Sequence, residues 1–151
     1  MKKLILAFFL LLGVLSVHSQ EIRWISIEEA LAKQKKAPKP IFMNIYTDWY
    51  DPCKMLDKNT FQDAEVIDFI NKNYYAVKFN AEGNSIITFK GSKFSNPGFD
   101  PNRKGRNSAH ELTSFLKVKG YPSMYIIDKN GETQQQIVGY KTQEELLKIL
   151  K

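Results

Sequence analysis

At 151 residues the chain has the size of one domain with a proper core. Its 22 Lys and Arg against 16 Asp and Glu give a formal net charge of +6, too mild a surplus to imply a nucleic-acid partner. A single cysteine excludes an internal disulfide framework.

The first 19 residues read as a secretory signal peptide: Lys2 and Lys3, an apolar run at 4–17, then Val17-His18-Ser19, with cleavage after Ser19. The run is shorter than the roughly 20 residues a bilayer span needs. No cysteine follows it, which argues against a lipid anchor. An uncleaved N-terminal anchor is the alternative. The mature chain of 132 residues is then periplasmic or extracellular, with no membrane contact after cleavage. It keeps 20 basic residues, all but Lys2 and Lys3, against 16 acidic ones, a charge of +4. In that oxidising setting one unpaired cysteine calls for explanation. One cysteine and one remaining histidine, His110, cannot make a metal site of usual spacing.

Periodicity switches repeatedly from there on, which predicts an α/β domain at 20–151. Ser26-Ile27-Glu28-Glu29 is a capping box, with Ile27, Ala30 and Leu31 following at helical spacing until Pro40 stops the helix. "IFMNIYT" (41–47) reads as a central strand buried on both faces, with Asn44 its one polar member. A helix starts at the Pro52-Cys53 corner and reaches about Asn59. Another follows Asp63, with Val66, Ile67, Phe69 and Ile70 inward. "YYAVKFNAE" (74–82) is the next strand. Ser108-Ala109-His110-Glu111 reads as a second capping box, opening a helix with Ala109, Leu112, Phe115 and Leu116 inward. "SMYIID" (123–128) and "TQQQIVGY" (133–140) form a hairpin about Lys129-Asn130-Gly131-Glu132. Thr142 caps a final helix carrying Leu146, Leu147 and Leu150.

Residues 83–107 break this rhythm. Lys90, Lys93, Arg103, Lys104 and Arg106 face Asp100 alone, so the segment holds the whole +4 of the mature chain. "IITFKGSKF" (86–94) looks like a hairpin turning at Lys90-Gly91, and the Pro- and Gly-rich part after it is too long for a simple connection. The expected role is a solvated decoration. The sharper one is a basic surface for an acidic partner or polymer.

Three features occur in order: a buried strand running into Trp49-Tyr50-Asp51-Pro52-Cys53-Lys54, a Val77-Lys78-Phe79-Asn80 strand, and Gly120-Tyr121-Pro122-Ser123 before a strand. Together, over residues 22–151, they resemble the thioredoxin superfamily, especially its secreted members with an insertion before the third major helix. The resemblance implies a central mixed β-sheet with helices on both faces. In that family the corner reads Trp-Cys-x-x-Cys-Lys. The first sulfur attacks a substrate disulfide and the second resolves the mixed disulfide. Here Tyr50 stands at the first position and only the resolving Cys53 remains, so one polypeptide cannot run the dithiol cycle.

The neighbouring residues point the same way. Asp51 as N-cap with Pro52 at N1 would satisfy an orphan N–H and disfavour a second anion at Cys53, with Lys54 opposing this only partly. Asn44 stands where the family often has a buried acid, and Lys78 matches the lysine that accompanies it. Asn44 can hydrogen-bond but cannot take a proton. Pro122 resembles the family's cis-proline, whose preceding backbone edge pairs with an extended peptide; a trans-proline starting a strand is the plain alternative. Trp49 is either part of that surface or core packing. His110 is expected on the surface of a capped helix, out of reach of Cys53.

Three functions follow. The favoured one is a binding module for a peptide or protein client at the Trp49, Tyr50, Tyr121 and Pro122 surface, with no cofactor and no disulfide cycling. The second is a monothiol redox protein acting through Cys53, by mixed disulfide with a client or a small thiol, a disulfide-linked homodimer, or a cluster-bridged dimer. The third is an acidic-polymer binder working through residues 83–107.

Overall fold

A computed structural model describes residues 20–151. The signal-peptide reading of residues 1–19 therefore lies outside the described residues. Among the described residues, seven strands and five α-helices follow in chain order. These are β1 (Trp24–Ile25), α1 (Ile27–Lys36), β2 (Ile41–Tyr46), α2 (Asp51–Lys58), α3 (Ala64–Asn73), β3 (Tyr75–Asn80), β4 (Ile87–Phe89), β5 (Ser92–Phe94), α4 (Glu111–Phe115), β6 (Ser123–Ile127), β7 (Thr133–Val138) and α5 (Gln143–Leu150). A 3-10 turn at Thr60–Gln62 joins α2 to α3.

Five strands form one mixed sheet in the order β1-β3-β2-β6-β7. The β1–β3 and β2–β3 pairs are parallel, and β2–β6 and β6–β7 are antiparallel. Both faces are covered, which is why β2 is almost uniformly apolar rather than alternating. On one face Met43, Ile45, Val77 and Tyr125 pack with α1, the β4–β5 hairpin and α4. On the other, Phe42, Ala76 and Met124 pack with α2, α3 and α5. Strand β1 was not legible as a strand; its two residues are held by parallel pairing to Ala76 and Val77.

The caps explain several boundaries. The Ser26 side chain accepts the Glu29 N–H at the start of α1. Thr142 and Glu145 form a full reciprocal box at the start of α5. The box read at Ser108 is displaced, however. His110 is the N-cap of α4, and its Nδ1 accepts the Leu112 N–H at 3.1 Å. Ala109 is exposed outside the helix and Phe115 is half exposed, so only Leu112 and Leu116 of the expected inner face are buried.

His110 itself is fully buried, not on the surface. Its Nε2 meets the Ser85 carbonyl at 2.7 Å and its ring stands edge-on to Phe79. With Nδ1 accepting, Nε2 carries the proton and donates to Ser85, so the neutral ring is satisfied on both sides.

Residues 83–107 are likewise more than decoration. Ile87 and Phe89 belong to the main core, and Phe94 packs on Phe115. The hairpin turns at Lys90-Gly91, both with positive φ (50° and 79°), the geometry of a two-residue turn matched to strand twist. Thr88 N–H donates to Glu28 of α1, and Lys90 pairs with Glu132. The solvated-loop expectation fails for the hairpin, because alternating Ile87 and Phe89 join the core that α1 and α4 also cover on that face.

Candidate functional site

Strand β2 delivers the chain into the corner that begins α2. Tyr50, not Asp51, is the N-cap: its carbonyl accepts the Cys53 N–H at 3.0 Å, and its side chain caps nothing. The helix begins one residue earlier than expected, so Asp51 occupies N1 and Pro52 N2. The Asp51 carboxylate, 85% exposed, reaches only Lys54 at 3.5 Å. It sits at the positive end of the helix but satisfies no orphan N–H there. Lys54 is also mostly solvated.

Cys53 lies on the inner side of α2 and is 2% exposed. Burial pushes its thiol pKa up. Backbone and side chain of Thr47 oppose that shift, and Asp57, rather than Asp51, adds to it, with Lys78 opposing. Asp57 follows Cys53 by one helical turn on the same helix, a spacing visible in the sequence. The Thr47 hydroxyl influences the thiol but makes no hydrogen bond of ordinary geometry, and it is fully buried.

Beneath the corner, Asn44 stands in register with Lys78 on β3 and Met124 on β6. Its Oδ1 is buried without a partner. Lys78 is engaged elsewhere, donating to Asp57 Oδ2 at 2.7 Å while lying over the Tyr46 ring at 4.8 Å. Among the described residues no carboxylate or imidazole is hydrogen-bonded to the Cys53 thiol. Asn44 is neutral, Asp57 is paired, and His110 lies across the sheet among the α1 and α4 side chains.

The outer surface of the corner is aromatic. Trp49 and Tyr50 pack with ring centroids 5.3 Å apart, and Tyr50 is 37% exposed. The Tyr121–Pro122 peptide bond is cis. Ser123 Oγ donates to Gly120 O at 2.6 Å, closing the turn before β6. Burial first, then the negative charge of Glu82, pushes the Tyr121 phenol up.

Two contacts that sequence reasoning missed organise this face. Glu82 Oε2 accepts the Trp49 Nε1–H at 2.9 Å and the Asn107 N–H at 2.7 Å. Arg106 lies over the Trp49 ring at 4.4 Å. Nothing in the spacing of these residues announces the contact, because it depends on residues 96–108 folding back onto the corner. Trp49 is thus half-buried between its own helix corner and the insertion.

Fold and corner together define a thioredoxin-type scaffold with one thiol. The thioredoxin-like domain family model matches residues 27–151, and the chain belongs to that family. Among solved structures it is similar to a putative disulphide-isomerase from Bacteroides thetaiotaomicron, at 27% identity and TM-score 0.58, covering 85% of this chain and 88% of that one. A thioredoxin from Thermus thermophilus shares the fold at 18% identity and TM-score 0.62, covering 86% and 85%. The DsbH oxidoreductase does so at 19% identity and TM-score 0.60, covering 89% and 85%. No curated protein matches the chain.

Proposed function

We propose that the protein is an exported thioredoxin-fold module that binds an extended peptide or protein segment and does not cycle a disulfide. The observation that carries this reading is the pair of residues at the helix corner. A half-exposed Tyr50 stands where the attacking sulfur would be, and Cys53 lies 2% exposed behind it with a raised pKa. A thiol that is neither ionised nor accessible is a poor nucleophile, and it is out of reach of a partner's sulfur unless α2 opens. In this reading the turn at Tyr121–Pro122 offers a backbone edge for strand addition, and the Trp49 and Tyr50 rings of the α2 corner supply apolar area. Export through the leader at residues 1–19 belongs to the same reading, and a processed N-terminus at Gln20 in the exported fraction would support it.

The decisive experiment compares the mature protein with its Cys53→Ser variant for binding of a fluorescein-labelled extended peptide, and times alkylation of Cys53 by iodoacetamide at neutral pH. Unchanged affinity and slow alkylation support a binding module. Rapid alkylation, or a disulfide-linked species on a non-reducing gel, would overturn it in favour of a monothiol redox protein.

A further inference from the structure

The loop at 100–107 is closed on itself: Asp100 N–H donates to Asn107 Oδ1 at 3.0 Å, and Asn107 Nδ2 donates to the Asp100 carbonyl at 2.8 Å. Asn107 N–H then ties the closed loop to Glu82, the same carboxylate that holds Trp49. Arg106, next in the chain to that tether, is thereby set with its guanidinium over the Trp49 ring. Its position is fixed from two sides, by backbone and by stacking.

Its charge, by contrast, is unanswered. Arg103, Lys104 and Arg106 are all exposed, and none makes an ion pair among the described residues. Carboxylates lining the hollow that Trp49 and Arg103 also line are engaged by neutral donors: Glu82 by the two N–H groups above, Asp48 by Asn80 Nδ2 at 2.7 Å, and Asp100 by the Asn102 N–H at 2.9 Å. Lys90, at the far end of the insertion, shows the contrast, since it is paired with Glu132. No hydrogen bond engages Arg106 among the described residues, which leaves its guanidinium N–H groups free in their planar fork. That is the fork geometry a carboxylate accepts with two parallel hydrogen bonds. Because the side chain is already ordered on Trp49, binding costs little further rotamer entropy.

We infer that the docking face selects an extended peptide bearing a carboxylate side chain, which Arg106 receives bidentately while remaining stacked on Trp49. This rests on the peptide-docking reading above. It assigns the insertion a role in specificity: the loop carries the residue that reads the client's charge. Arg103 and Lys104 add attraction that salt screens, whereas the Arg106 fork adds selectivity.

The test uses two fluorescein-labelled nonapeptides, Gly-Ser-Val-Glu-Val-Glu-Val-Ser-Gly and its counterpart with Gln for both Glu, followed by anisotropy with the mature protein. The acidic peptide is expected to bind about tenfold more tightly than the Gln peptide. Arg106→Gln should cut that preference to about twofold, and Arg106→Lys should recover only part of it, since an ammonium lacks the fork. Lys104→Gln removes the same charge without the stacked residue and should keep most of the preference. Equal binding of the two peptides would overturn this inference and leave the docking reading standing. Equal loss of preference in Lys104→Gln and Arg106→Gln would overturn it too, reducing the effect to diffuse charge. If neither peptide binds, both readings fall.

Discussion

The indole N–H of Trp49 and the main-chain N–H of Asn107 meet on one oxygen, Oε2 of Glu82, at 2.9 and 2.7 Å. This carboxylate joins the end of β3 to the α2 corner and to the insertion. Hydrogen bonds to a charged, partly buried acceptor contribute about 1.5–3 kcal/mol each when one partner is lost. Because Glu82 is only partly buried, Glu82→Ala should lower stability by less than the full sum of two such bonds, about 2–4 kcal/mol in urea unfolding. Glu82→Gln keeps an acceptor oxygen and should lose about half as much. The tryptophan emission of the folded Glu82→Ala variant should also shift, with Trp24→Phe as background, because Trp49 loses its anchor.

Cys53 should alkylate at least about 100-fold more slowly in the folded protein than in the urea-unfolded chain, since α2 must open locally first. The same burial gives a pH signature. The folded pKa of Cys53 is raised, as are those of Tyr46, Tyr74, Tyr121 and Tyr125. Each holds its proton longer in the folded state, so stability is full below the unfolded pKa values and falls as pH rises past them. The loss should begin at about pH 8.5–9 with the cysteine and steepen near pH 10 with the tyrosines. Cys53→Ser should remove the first part of that slope. A flat stability profile from pH 8 to 10 would count against a buried thiol.

Local chemistry was readable where neighbours in sequence decide it. The Ser26 and Thr142 caps, the Lys90-Gly91 turn and the apolar run of β2 each announce themselves within a few residues. The missing first cysteine is equally local. What failed depended on distant partners. Asp51 looks like an N-cap until the strand exit sets Tyr50 in that place. His110 looks like a surface residue until Ser85, 25 positions earlier, supplies its second hydrogen bond. Arg106 and Glu82 acquire meaning only when a long loop returns to Trp49. A single β1 pairing of two residues carries too little pattern for any periodicity to register.

The insertion should behave as core. Phe89 is 2% exposed within the cluster that contains Met43 and Tyr125. Phe89→Ala should cost about 3–5 kcal/mol, the range for a buried aromatic truncated in a packed interior. His110→Ala should cost about 2–4 kcal/mol, leaving the Leu112 N–H and the Ser85 carbonyl unpaired. Removal of residues 84–106 should unfold the domain rather than trim it. A trimmed chain that keeps its thermal midpoint would show that the α1–α4 face closes without the hairpin.

Asn44→Asp returns an acid to the strand beneath Cys53. At a site 1% exposed, desolvation should raise the new carboxyl's pKa, because Lys78 in register with it is already held by Asp57. A folded pKa above the unfolded value means full stability below about pH 4 and progressive loss as pH rises through the folded value. The variant's deficit against the parent should therefore widen between about pH 4 and 7, reaching about 2–4 kcal/mol. A variant that instead gains stability toward neutrality would show Lys78 leaving Asp57 for the new partner.

Tyr50→Cys combined with Asp51→Gly restores two sulfurs three residues apart at the start of α2. The side chain at position 50 is 37% exposed and Cys53 is buried behind it, the arrangement an attacking and a resolving thiol require. Helix-end N–H groups and the removed Asp51 charge should lower the pKa of the introduced thiol. With dithiothreitol as reductant, insulin reduction followed by turbidity should exceed that of the parent by roughly tenfold. The Arg106→Gln version of this double variant tests whether the strap over Trp49 hinders a bulky substrate. A double variant that forms its internal disulfide but stays at the parent's rate, with or without Arg106, would place the loss of activity in surface beyond the three residues at the corner.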